Sequence, residues 1–360
     1  MPYLKVICVG DAMIGADTFA AASEEILAAS RVQCRQWLGS DKAELQRQRV
    51  LVERGGPGAV PVPGNVTDPG GDFDILLAHY APVSAAMMDA FPKLQVIGIA
   101  RGGVENVDLN AATERGILVF NVSGRNAHAV SDFAVGLMLA ELRNIARSHQ
   151  ALHEGEWKKK FHSHPRQLEG KQVGIIGFGK IGTLVAQKLK GFEVKLVAYD
   201  PFATAEHFNS AAVQPLALLD LLSSSDIVTV HARLSEKTRA LIGKEQLAAM
   251  KPGAILINTA RAGLIDTLAL IEALQTGQIA GAALDVFEDE PLPAASPLLK
   301  LDNVTLTSHL AGTTVEALER TPYLLCQNIQ RFLAGRSEEN LLNPQVAERL
   351  GDDHWRALLL

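Results

Sequence analysis

The sequence predicts an α/β protein built from two doubly wound parallel sheets, and three observations support this fold class. Short apolar runs rich in Val, Ile and Leu recur along the chain with turn-forming residues at their ends, as is typical of buried parallel strands. Segments with helical spacing lie between these runs. The length of 360 residues fits two domains at roughly 150 residues each.

Composition and charge exclude several classes of protein. Apolar residues make up 48% of the chain and the net charge is only -6, whereas disordered chains combine low hydrophobicity with high net charge. The acidic balance argues against nucleic acid as a partner, because such binding needs concentrated Lys and Arg. No run approaches the ~18 apolar residues of a membrane span, and the first apolar run is too short for a signal peptide. We expect a cytoplasmic protein without a membrane partner.

Cysteines and histidines give no sign of a disulfide framework or a metal site. Cys8, Cys34 and Cys326 are odd in number and widely separated, so reduced thiols in a reducing compartment are expected. His162 and His164 lie in a polar segment with three lysines, and we expect a solvated loop there rather than a metal site.

The first third of the chain is predicted to form one βα domain, residues 1–122. The predicted strands are Leu4–Gly10, Asp74–His79, Leu94–Ala100 and Leu118–Phe120, and the predicted helices are Phe19–Ala29 and Ser84–Ala90. The Gly- and Pro-rich segment Gly55–Gly71 is expected to be a surface loop. A long helix is predicted to follow over Ala129–Gln150.

From Lys171 onward the alternation of strands and helices becomes regular. The predicted strands are Gln172–Ile176, Val194–Tyr199, Asp226–His231, Ala254–Asn258, Gly281–Asp285 and Val304–Thr307. The predicted helices between them are Ile181–Lys190, Leu216–Ser223, Glu245–Met250 and Thr267–Gln275. A last helix, Val315–Leu333, carries the chain away, and residues 346–360 look like a polar tail with an unexplained apolar end at Leu358–Leu360.

A glycine motif marks the start of this second region. Gly177, Gly179 and Gly182 form a GxGxxG that follows the apolar run VGII and precedes a helix-forming run. In a Rossmann-like fold these glycines supply a tight turn, a close approach to pyrophosphate and close helix–strand packing. The N-terminus of the following helix then offers free N–H groups to the anion.

Asp200 predicts which dinucleotide is bound. It ends the next predicted strand, where a carboxylate can bind the adenosine ribose hydroxyls and would repel a 2′-phosphate. The residues that follow, PFATAE, contain no Arg or Lys to neutralise such a phosphate. The predicted cofactor is therefore NAD rather than NADP.

Three ionisable residues follow three later strands of the predicted sheet, at the edge where open α/β sheets bind ligands. Arg261 offers a planar fork that can bind a carboxylate in a bidentate manner. His309 can exchange a proton near neutral pH. Glu290, if it contacts His309, would hold one tautomer and favour the protonated ring.

The region from Leu94 to about Pro344 resembles the D-isomer-specific 2-hydroxyacid dehydrogenases, particularly the branch that includes D-3-phosphoglycerate dehydrogenase. The stretches that carry the resemblance are ARGGVENVDLNAATERGILVFN, VGIIGFGKIG, LVAYDP, INTARAGLID, GAALDVFEDEP and SHLAG. The resemblance implies a nucleotide domain, residues 123–309, inserted into a flavodoxin-like substrate domain made of residues 1–122 and 310–345. It also implies an active site in a cleft between the domains. A homodimer would use the helix after Ala129 and the following loop, which would explain Trp157 and Phe161 in a polar segment.

The resemblance also assigns roles to individual residues. It implies that Arg261, Glu290 and His309 are catalytic and that Arg101, Gly102 and Gly103 hold the substrate carboxylate. Together with the glycine motif, the implied cofactor contacts are Gly177, Gly179, Lys180, Ile181, Gly182, Asp200, Thr259, Ala260, Asp285, Ala311 and Gly312.

The sequence departs from the family pattern at three places. Arg233 stands near the position of a common Pro; it either touches a cofactor phosphate or an anionic substrate tail, or is an ordinary solvent-exposed arginine. Ala262 replaces a common Gly after the catalytic arginine. His79 and Tyr80 lie where the family's substrate-domain loop approaches the ligand, and their polar bulk suggests a substrate larger than glycolate.

The expected function is hydride transfer between NAD(H) and C2 of a small 2-hydroxy or 2-oxo acid, such as 3-phosphoglycerate or a sugar acid. The alternative is an NAD(H)-sensing interaction protein of the corepressor type, because the C-terminal-binding-protein corepressors resemble this family and keep its site. Formate dehydrogenases of the family usually pair the histidine with Gln, so Glu290 argues against that activity.

Overall fold

The computed structural model describes residues 4–29, 31–68 and 70–351 of the chain. Its strands are β1 (Lys5–Gly10), β2 (Arg31–Gln36), β3 (Ile75–Ala78), β4 (Val96–Ile99), β5 (Leu118–Phe120), β6 (Gln172–Ile176), β7 (Lys195–Tyr199), β8 (Gln214–Pro215), β9 (Ile227–Val230), β10 (Ile255–Asn258), β11 (Gly281–Leu284) and β12 (Val304–Leu306).

The helices alternate with these strands. They are α1 (Ala16–Leu27), α2 (Lys42–Gly55), α3 (Gly64–Thr67), α4 (Ala85–Asp89), α5 (Leu109–Glu114), α6 (Ala127–Leu142), α7 (Ile145–His153), α8 (Lys180–Leu189), α9 (Ala205–Ala211), α10 (Leu218–Ser224), α11 (Lys244–Ala249), α12 (Thr267–Gln275), α13 (Val315–Leu333) and α14 (Pro344–Leu350). Among the described residues, none of these helices combines the length and the apolar character that crossing a bilayer requires.

The chain divides into two compact units. The first contains the residues up to Arg125 together with those from Thr314 onward, and the second is Asn126–Thr313. The first unit is therefore discontinuous in sequence, because the second lies between its two parts. The sequence analysis placed these two breaks at 122–123 and 309–310.

The first unit is built on a five-stranded parallel sheet with the order β2-β1-β3-β4-β5. This is the flavodoxin-like order, in which the direction of strand addition reverses between β1 and β3. Side chains of α1, α13 and α14, including Phe19, Leu325 and Val346, form the core on one face. Side chains of α2, α4 and α5, including Leu45 and Met87, form the core on the other face.

The second unit has a seven-stranded sheet with the order β12-β11-β10-β9-β6-β7-β8, and all its pairs are parallel. The order reverses between β6 and β9, as in a Rossmann-like sheet. Helices α6, α8 and α9 cover one face, and α10, α11 and α12 cover the other. The predicted fold class is confirmed.

The elements that the sequence analysis did not predict include β2 and α2. Strand β2 is an edge strand that leaves most of its side chains partly or fully exposed, so it lacks the apolar signal of a buried strand. Helix α2 buries only Leu45 and Val52. The segment Gly55–Gly71, expected to be a surface loop, contains the short helix α3 and buries Val60 and Val66.

The single helix predicted over Ala129–Gln150 is wrong. The structure has two helices there, α6 and α7, and the break falls at Asn144. Asn144 has a φ of 52°, in the left-handed region that asparagine tolerates better than most residues. Its buried side chain donates from Nδ2 to the carbonyl oxygen of Ser163 at 3.1 Å, so the break is held by a specific contact.

The segment expected to be a tail from residue 346 begins as part of a helix. Val346 of α14 is fully buried in the core of the first unit. Asn343, just before this helix, forms hydrogen bonds with β5 and with the residue that precedes β5. Its Oδ1 accepts from Val119 N at 2.9 Å, and its Nδ2 donates to Ile117 O at 2.8 Å. Residues 352–360, including Leu358–Leu360, lie outside the described part of the chain.

Candidate active site

The predicted site residues of the second unit follow the carboxyl ends of its parallel strands, which meet at one edge of the sheet. Gly177 follows β6, Asp200 follows β7, and Arg261 follows β10. Glu290 and His309 come after β11 and β12, the next two strands in the sheet. The sheet order therefore brings the glycine motif and the three predicted catalytic residues to the same edge.

The glycine motif forms a tight turn between β6 and α8. Gly177 has a φ of 88°, and a Cβ added there would collide with the backbone nitrogen of Ala232. A Cβ at Gly182 would collide with the carbonyl oxygen of Gly177, whereas a Cβ at Gly179 would meet no atom within 4 Å. Packing therefore requires glycine at 177 and 182. Gly179 leaves open space at the N-terminus of α8, where Lys180 and Ile181 form the first turn.

Asp200 ties the end of β7 to this turn. Its Oδ2 accepts from Phe178 N at 2.8 Å, and its Oδ1 accepts from Phe202 N at 2.9 Å. Each carboxylate oxygen can accept more than one hydrogen bond, so Asp200 retains acceptor capacity for hydroxyl groups of a ligand.

Two buried polar atoms at this edge lack a partner among the described residues. They are Oγ1 of Thr259, after β10, and Nδ1 of His231, after β9. His231 Nε2 lies 2.9 Å from Thr229 Oγ1, and burial lowers the pKa of His231 to about 3, so its ring is neutral. Buried polar groups without partners are costly and uncommon. The open glycine turn and these atoms fit a bound dinucleotide.

Asn258 positions Arg261, and the sequence analysis missed this role. The side chain of Asn258 is buried at the end of β10, where Oδ1 accepts from Ala260 N and Nδ2 donates to Arg261 O, both at 3.0 Å. The Arg261 side chain is exposed and donates from Nη1 to Ala260 O at 2.7 Å. No carboxylate in the described part of the chain forms an ion pair with it, so its other N–H groups are available to a ligand.

Glu290 and His309 are in direct contact. Oε2 of Glu290 lies 2.7 Å from Nδ1 of His309, and Oε1 accepts from Phe287 N at 3.1 Å. The contact between Glu290 and His309, on which the predicted role of Glu290 depends, is therefore present. Because Nδ1 is occupied by the carboxylate, Nε2 is the ring nitrogen left for a ligand.

Asp285 organises the loop that carries His309. This fully buried carboxylate accepts from Thr307 Oγ1 at 2.6 Å and from the N–H groups of Leu310 and Ala311, each at 2.9 Å. His309 itself has a φ of 55°, a left-handed conformation that costs energy for a residue other than glycine. Hydrogen bonds on both sides of His309 hold it in this conformation.

Two other predicted residues are also placed by packing. Ala311 is buried, and Gly312 lies so close to Asn126 that a Cβ there would collide with Asn126 Nδ2.

The Arg233 side chain is exposed, and no described residue accepts a hydrogen bond from it. A cluster of three metal-binding side chains does not occur in the described ranges.

The predicted substrate loop lies in the first unit, after β4. The N–H groups of Gly102 and Gly103 donate to no described residue, and the space beside Gly102 is open. The Arg101 guanidinium lies 4.6 Å from the centre of the Tyr80 ring and donates to Glu53 at 2.8 Å.

Comparison with known proteins identifies relatives of the chain. Residues 135–311 match the model of the D-isomer specific 2-hydroxyacid dehydrogenase, NAD binding domain. The chain is 41% identical to the D-3-phosphoglycerate dehydrogenase of Archaeoglobus fulgidus over 270 residues, 75% of this chain and 51% of that protein. It is 38% identical to the glyoxylate reductase of Korarchaeum cryptofilum over 281 residues, 77% of this chain and 85% of that protein.

A solved structure resembles the chain over most of its length. The TT0316 protein from Thermus thermophilus has a TM-score of 0.70 and 31% identity, covering 94% of this chain and 100% of that one. The chain spans about half the length of the first D-3-phosphoglycerate dehydrogenases it matches, and most of the length of the glyoxylate reductases. By its sequence and its fold, the chain belongs to the D-isomer specific 2-hydroxyacid dehydrogenase family.

Proposed function

We propose that this chain is an NAD-dependent oxidoreductase that interconverts a 2-hydroxy acid and the corresponding 2-oxo acid. The observation that carries this proposal is the 2.7 Å contact between Glu290 and His309, at the same sheet edge as the glycine turn. A carboxylate-bound imidazole at the same sheet edge as a dinucleotide site is an arrangement suited to proton-coupled hydride transfer.

Each side chain then has a definite task. The exposed Arg261 binds the carboxylate of the substrate and orients C2, since its free N–H groups match two carboxylate oxygens. Nε2 of His309 gives a proton to the C2 oxygen when a 2-oxo acid is reduced and accepts it when the hydroxy acid is oxidised. Glu290 positions the ring through its contact with Nδ1 and leaves Nε2 for the substrate. NAD held at the glycine turn would supply the hydride acceptor or donor.

The remaining predicted residues serve binding. Gly177, Gly179, Gly182 and the first turn of α8 hold the pyrophosphate, while Asp200 selects NAD through the ribose hydroxyls. The unoccupied N–H groups of Gly102 and Gly103 hold the substrate carboxylate.

The relatives guide the choice of substrates to test. Proteins similar to this chain are named D-3-phosphoglycerate dehydrogenase and glyoxylate reductase, so phosphohydroxypyruvate and glyoxylate come first. These names do not favour the alternative of an NAD(H)-sensing interaction protein.

The test is NADH oxidation with a panel of 2-oxo acids, followed by His309→Ala on the best one. Loss of the proton donor is expected to lower kcat by roughly 10²–10⁴. His128→Ala is the matched control, because His128 is an exposed histidine of the same unit. Near-full turnover by His309→Ala, or no oxidation with any acid, would contradict the proposal.

We also infer a cytoplasmic homodimer. All three cysteines are free, as expected in a reducing compartment. Helix α7 and the loop after it expose Ile145, Leu152 and Trp157, with 54%, 54% and 79% of each residue accessible. Large apolar side chains exposed on one segment are typical of an interaction surface, and light scattering of the purified chain measures the mass directly.

A further inference from the structure

His207, in the first turn of α9, packs against the glycine turn that precedes α8. Its half-buried ring lies 5.1 Å from the ring of Phe178, the second residue of the glycine motif, with 58° between the two planes. Its Nε2 lies 3.1 Å from the carbonyl oxygen of Phe178 and 2.9 Å from Oγ1 of Thr183. The sequence analysis assigned no role to this histidine, and the proposed reaction does not use it.

These contacts determine which nitrogen of the His207 ring carries a proton. A carbonyl oxygen can only accept a hydrogen bond, so Nε2 is the donor to Phe178. The hydroxyl of Thr183 donates its own hydrogen to Gly179 O at 2.8 Å, which leaves a lone pair of Oγ1 for the same Nε2–H. One ring N–H is therefore shared between two acceptors at the glycine turn.

Three side chains hold the backbone of Phe178 and Gly179. Phe178 N donates to Oδ2 of Asp200 at 2.8 Å, and Phe178 O accepts from His207. Gly179 O accepts from both the backbone N–H and the hydroxyl of Thr183. Among the described side chains, His207 is the one that holds the carbonyl of the peptide between Phe178 and Gly179.

The direction of that carbonyl decides the direction of the Gly179 N–H. In a planar trans peptide the C=O and the following N–H point to opposite sides of the chain. Because His207 draws the Phe178 carbonyl toward α9, the Gly179 N–H is directed away from α9. This N–H donates to no described residue, and a Cβ added to Gly179 would meet no atom within 4 Å. A reversed peptide would present a carbonyl oxygen there and repel an anion.

We propose that His207 is a positioning residue for the cofactor, which keeps the Gly179 N–H directed toward the pyrophosphate of NAD by holding the Phe178 carbonyl. This rests on the proposed binding of NAD at the glycine turn and deepens it, because it names a residue outside the glycine motif that sets the affinity for the diphosphate. His207 contacts the backbone of the turn rather than a reacting group. Its loss therefore weakens cofactor binding and leaves the chemical step unchanged.

Two variants separate the hydrogen bond of His207 from the packing of its ring. His207→Phe keeps a ring against Phe178 and removes the donor, whereas His207→Gln places an amide N–H at about the reach of Nε2. His128→Phe is the matched control, because His128 is an exposed histidine of the same unit. Dissociation constants are measured for NADH and ADP by direct titration and for adenosine by competition with NADH.

We expect His207→Phe to weaken the binding of both NADH and ADP by about 3- to 10-fold, the effect of losing one hydrogen bond. Adenosine carries no phosphate, so its dissociation constant should change less than twofold. His207→Gln should bind NADH within twofold of the wild-type chain. In the reduction of a 2-oxo acid, the KM for NADH should rise with the dissociation constant in His207→Phe, while kcat stays within twofold.

Three results would overturn the role of His207. The first is unchanged binding of NADH and ADP by His207→Phe. The second is an equal loss for NADH, ADP and adenosine, because a general distortion of the unit weakens all three ligands alike. The third is a failure of His207→Gln to restore the binding of NADH.

The titrations keep this test separate from the proposed reaction, because they need no turnover. If the wild-type chain binds NADH but reduces no 2-oxo acid, the proposed reaction fails, and the dissociation constants still decide the role of His207. If His207→Phe binds NADH and ADP as tightly as the wild-type chain, the positioning role fails and the proposed reaction is unaffected. If the wild-type chain binds neither NADH nor ADP, both the NAD site and the role of His207 are refuted.

Discussion

His309, the residue that we propose transfers the proton, is held in an unfavourable backbone conformation. Its φ of 55° is stabilised from outside the residue, by the bonds of Leu310 and Ala311 to the buried Asp285. The proposed proton-transfer residue is thus held by hydrogen bonds from its neighbours to a second carboxylate, Asp285, in addition to the Glu290 contact with its ring. Rigid support of this kind matters, because small displacements of a reacting group lower the rate of the chemical step.

Asp285→Asn tests this support. The amide replaces one acceptor oxygen with a donor that faces N–H groups, so we expect a loss of about 1–3 kcal/mol in the free energy of unfolding. The kcat should fall by about 10- to 100-fold as His309 shifts, while the NADH dissociation constant stays within threefold. Urea unfolding, steady-state kinetics and NADH titration measure the three quantities.

Asp289→Asn is the control for this experiment, because Asp289 is exposed and lies in the same segment. A variant Asp285→Asn with normal kcat but weak NADH binding would instead support the role of Asp285 as a direct cofactor contact, the role that the family resemblance implies.

The sequence could predict that the three proposed catalytic residues lie at one sheet edge, but not which residues hold them in place. Arg261, Glu290 and His309 follow apolar runs, and parallel strands bring such positions to one edge of the sheet. The roles of Asn258 and Asp285 depend on which backbone N–H groups the turns direct toward them. Those directions arise from φ and ψ values in irregular loops, which hydrophobic patterning does not encode.

At the scale of elements, the sequence predicts buried helices and strands well and exposed helices and strands poorly. Strand β6, helix α12 and helix α13 have the predicted bounds, since each has a clear apolar pattern. Strand β2 and helix α2 were not predicted because both leave most of their side chains partly or fully exposed. The position of β2 is set by its pairing with β1, and that of α2 by a few buried contacts. Neither can be read from hydrophobic patterning.

The break between α6 and α7 offers a prediction at this scale. Asn144 contributes a left-handed backbone and a hydrogen bond to Ser163, and two variants separate these contributions. Asn144→Gly loses the side-chain bond but tolerates the backbone, so a loss of about 1 kcal/mol in the free energy of unfolding is expected. Asn144→Ala loses both and should be about 0.5–1 kcal/mol less stable than Asn144→Gly.

Chemical denaturation of the two variants side by side gives the comparison. If Asn144→Ala proves as stable as Asn144→Gly, the left-handed conformation contributes nothing, and the helix break has to be ascribed to the side-chain bonds alone.

For the whole molecule, both units follow the same plan. Each has an open parallel sheet whose strand order reverses, and each has a neutral histidine after a strand at that reversal: the fully buried His79 after β3, and the half-buried His231, whose Nδ1 is buried, after β9. In both cases burial lowers the pKa of the ring below its usual value. The two units therefore share a common response to acid.

This response is a loss of stability as the pH falls. The unfolded chain protonates these histidines near pH 6.5, whereas folded His231 stays neutral down to about pH 3. Between these values the unfolded state binds more protons, so the free energy of unfolding decreases with decreasing pH. From pH 7.5 to pH 5.5 we expect His231 to contribute a loss of about 1.4 kcal/mol, and the lowered pKa of His79 acts in the same direction, before the carboxylates begin to titrate.

His231→Gln isolates one of the two contributions. The glutamine is uncharged at every pH, so the variant should lose about 1.4 kcal/mol less than the wild-type chain between pH 7.5 and pH 5.5. Urea unfolding at the two pH values measures the difference, and the exposed His164→Gln serves as control because its ring is solvated in both states. An unchanged pH dependence in His231→Gln would mean that this histidine takes up its proton equally in the folded and the unfolded chain. The acid sensitivity of the second unit would then have to come from groups other than the one at its strand reversal.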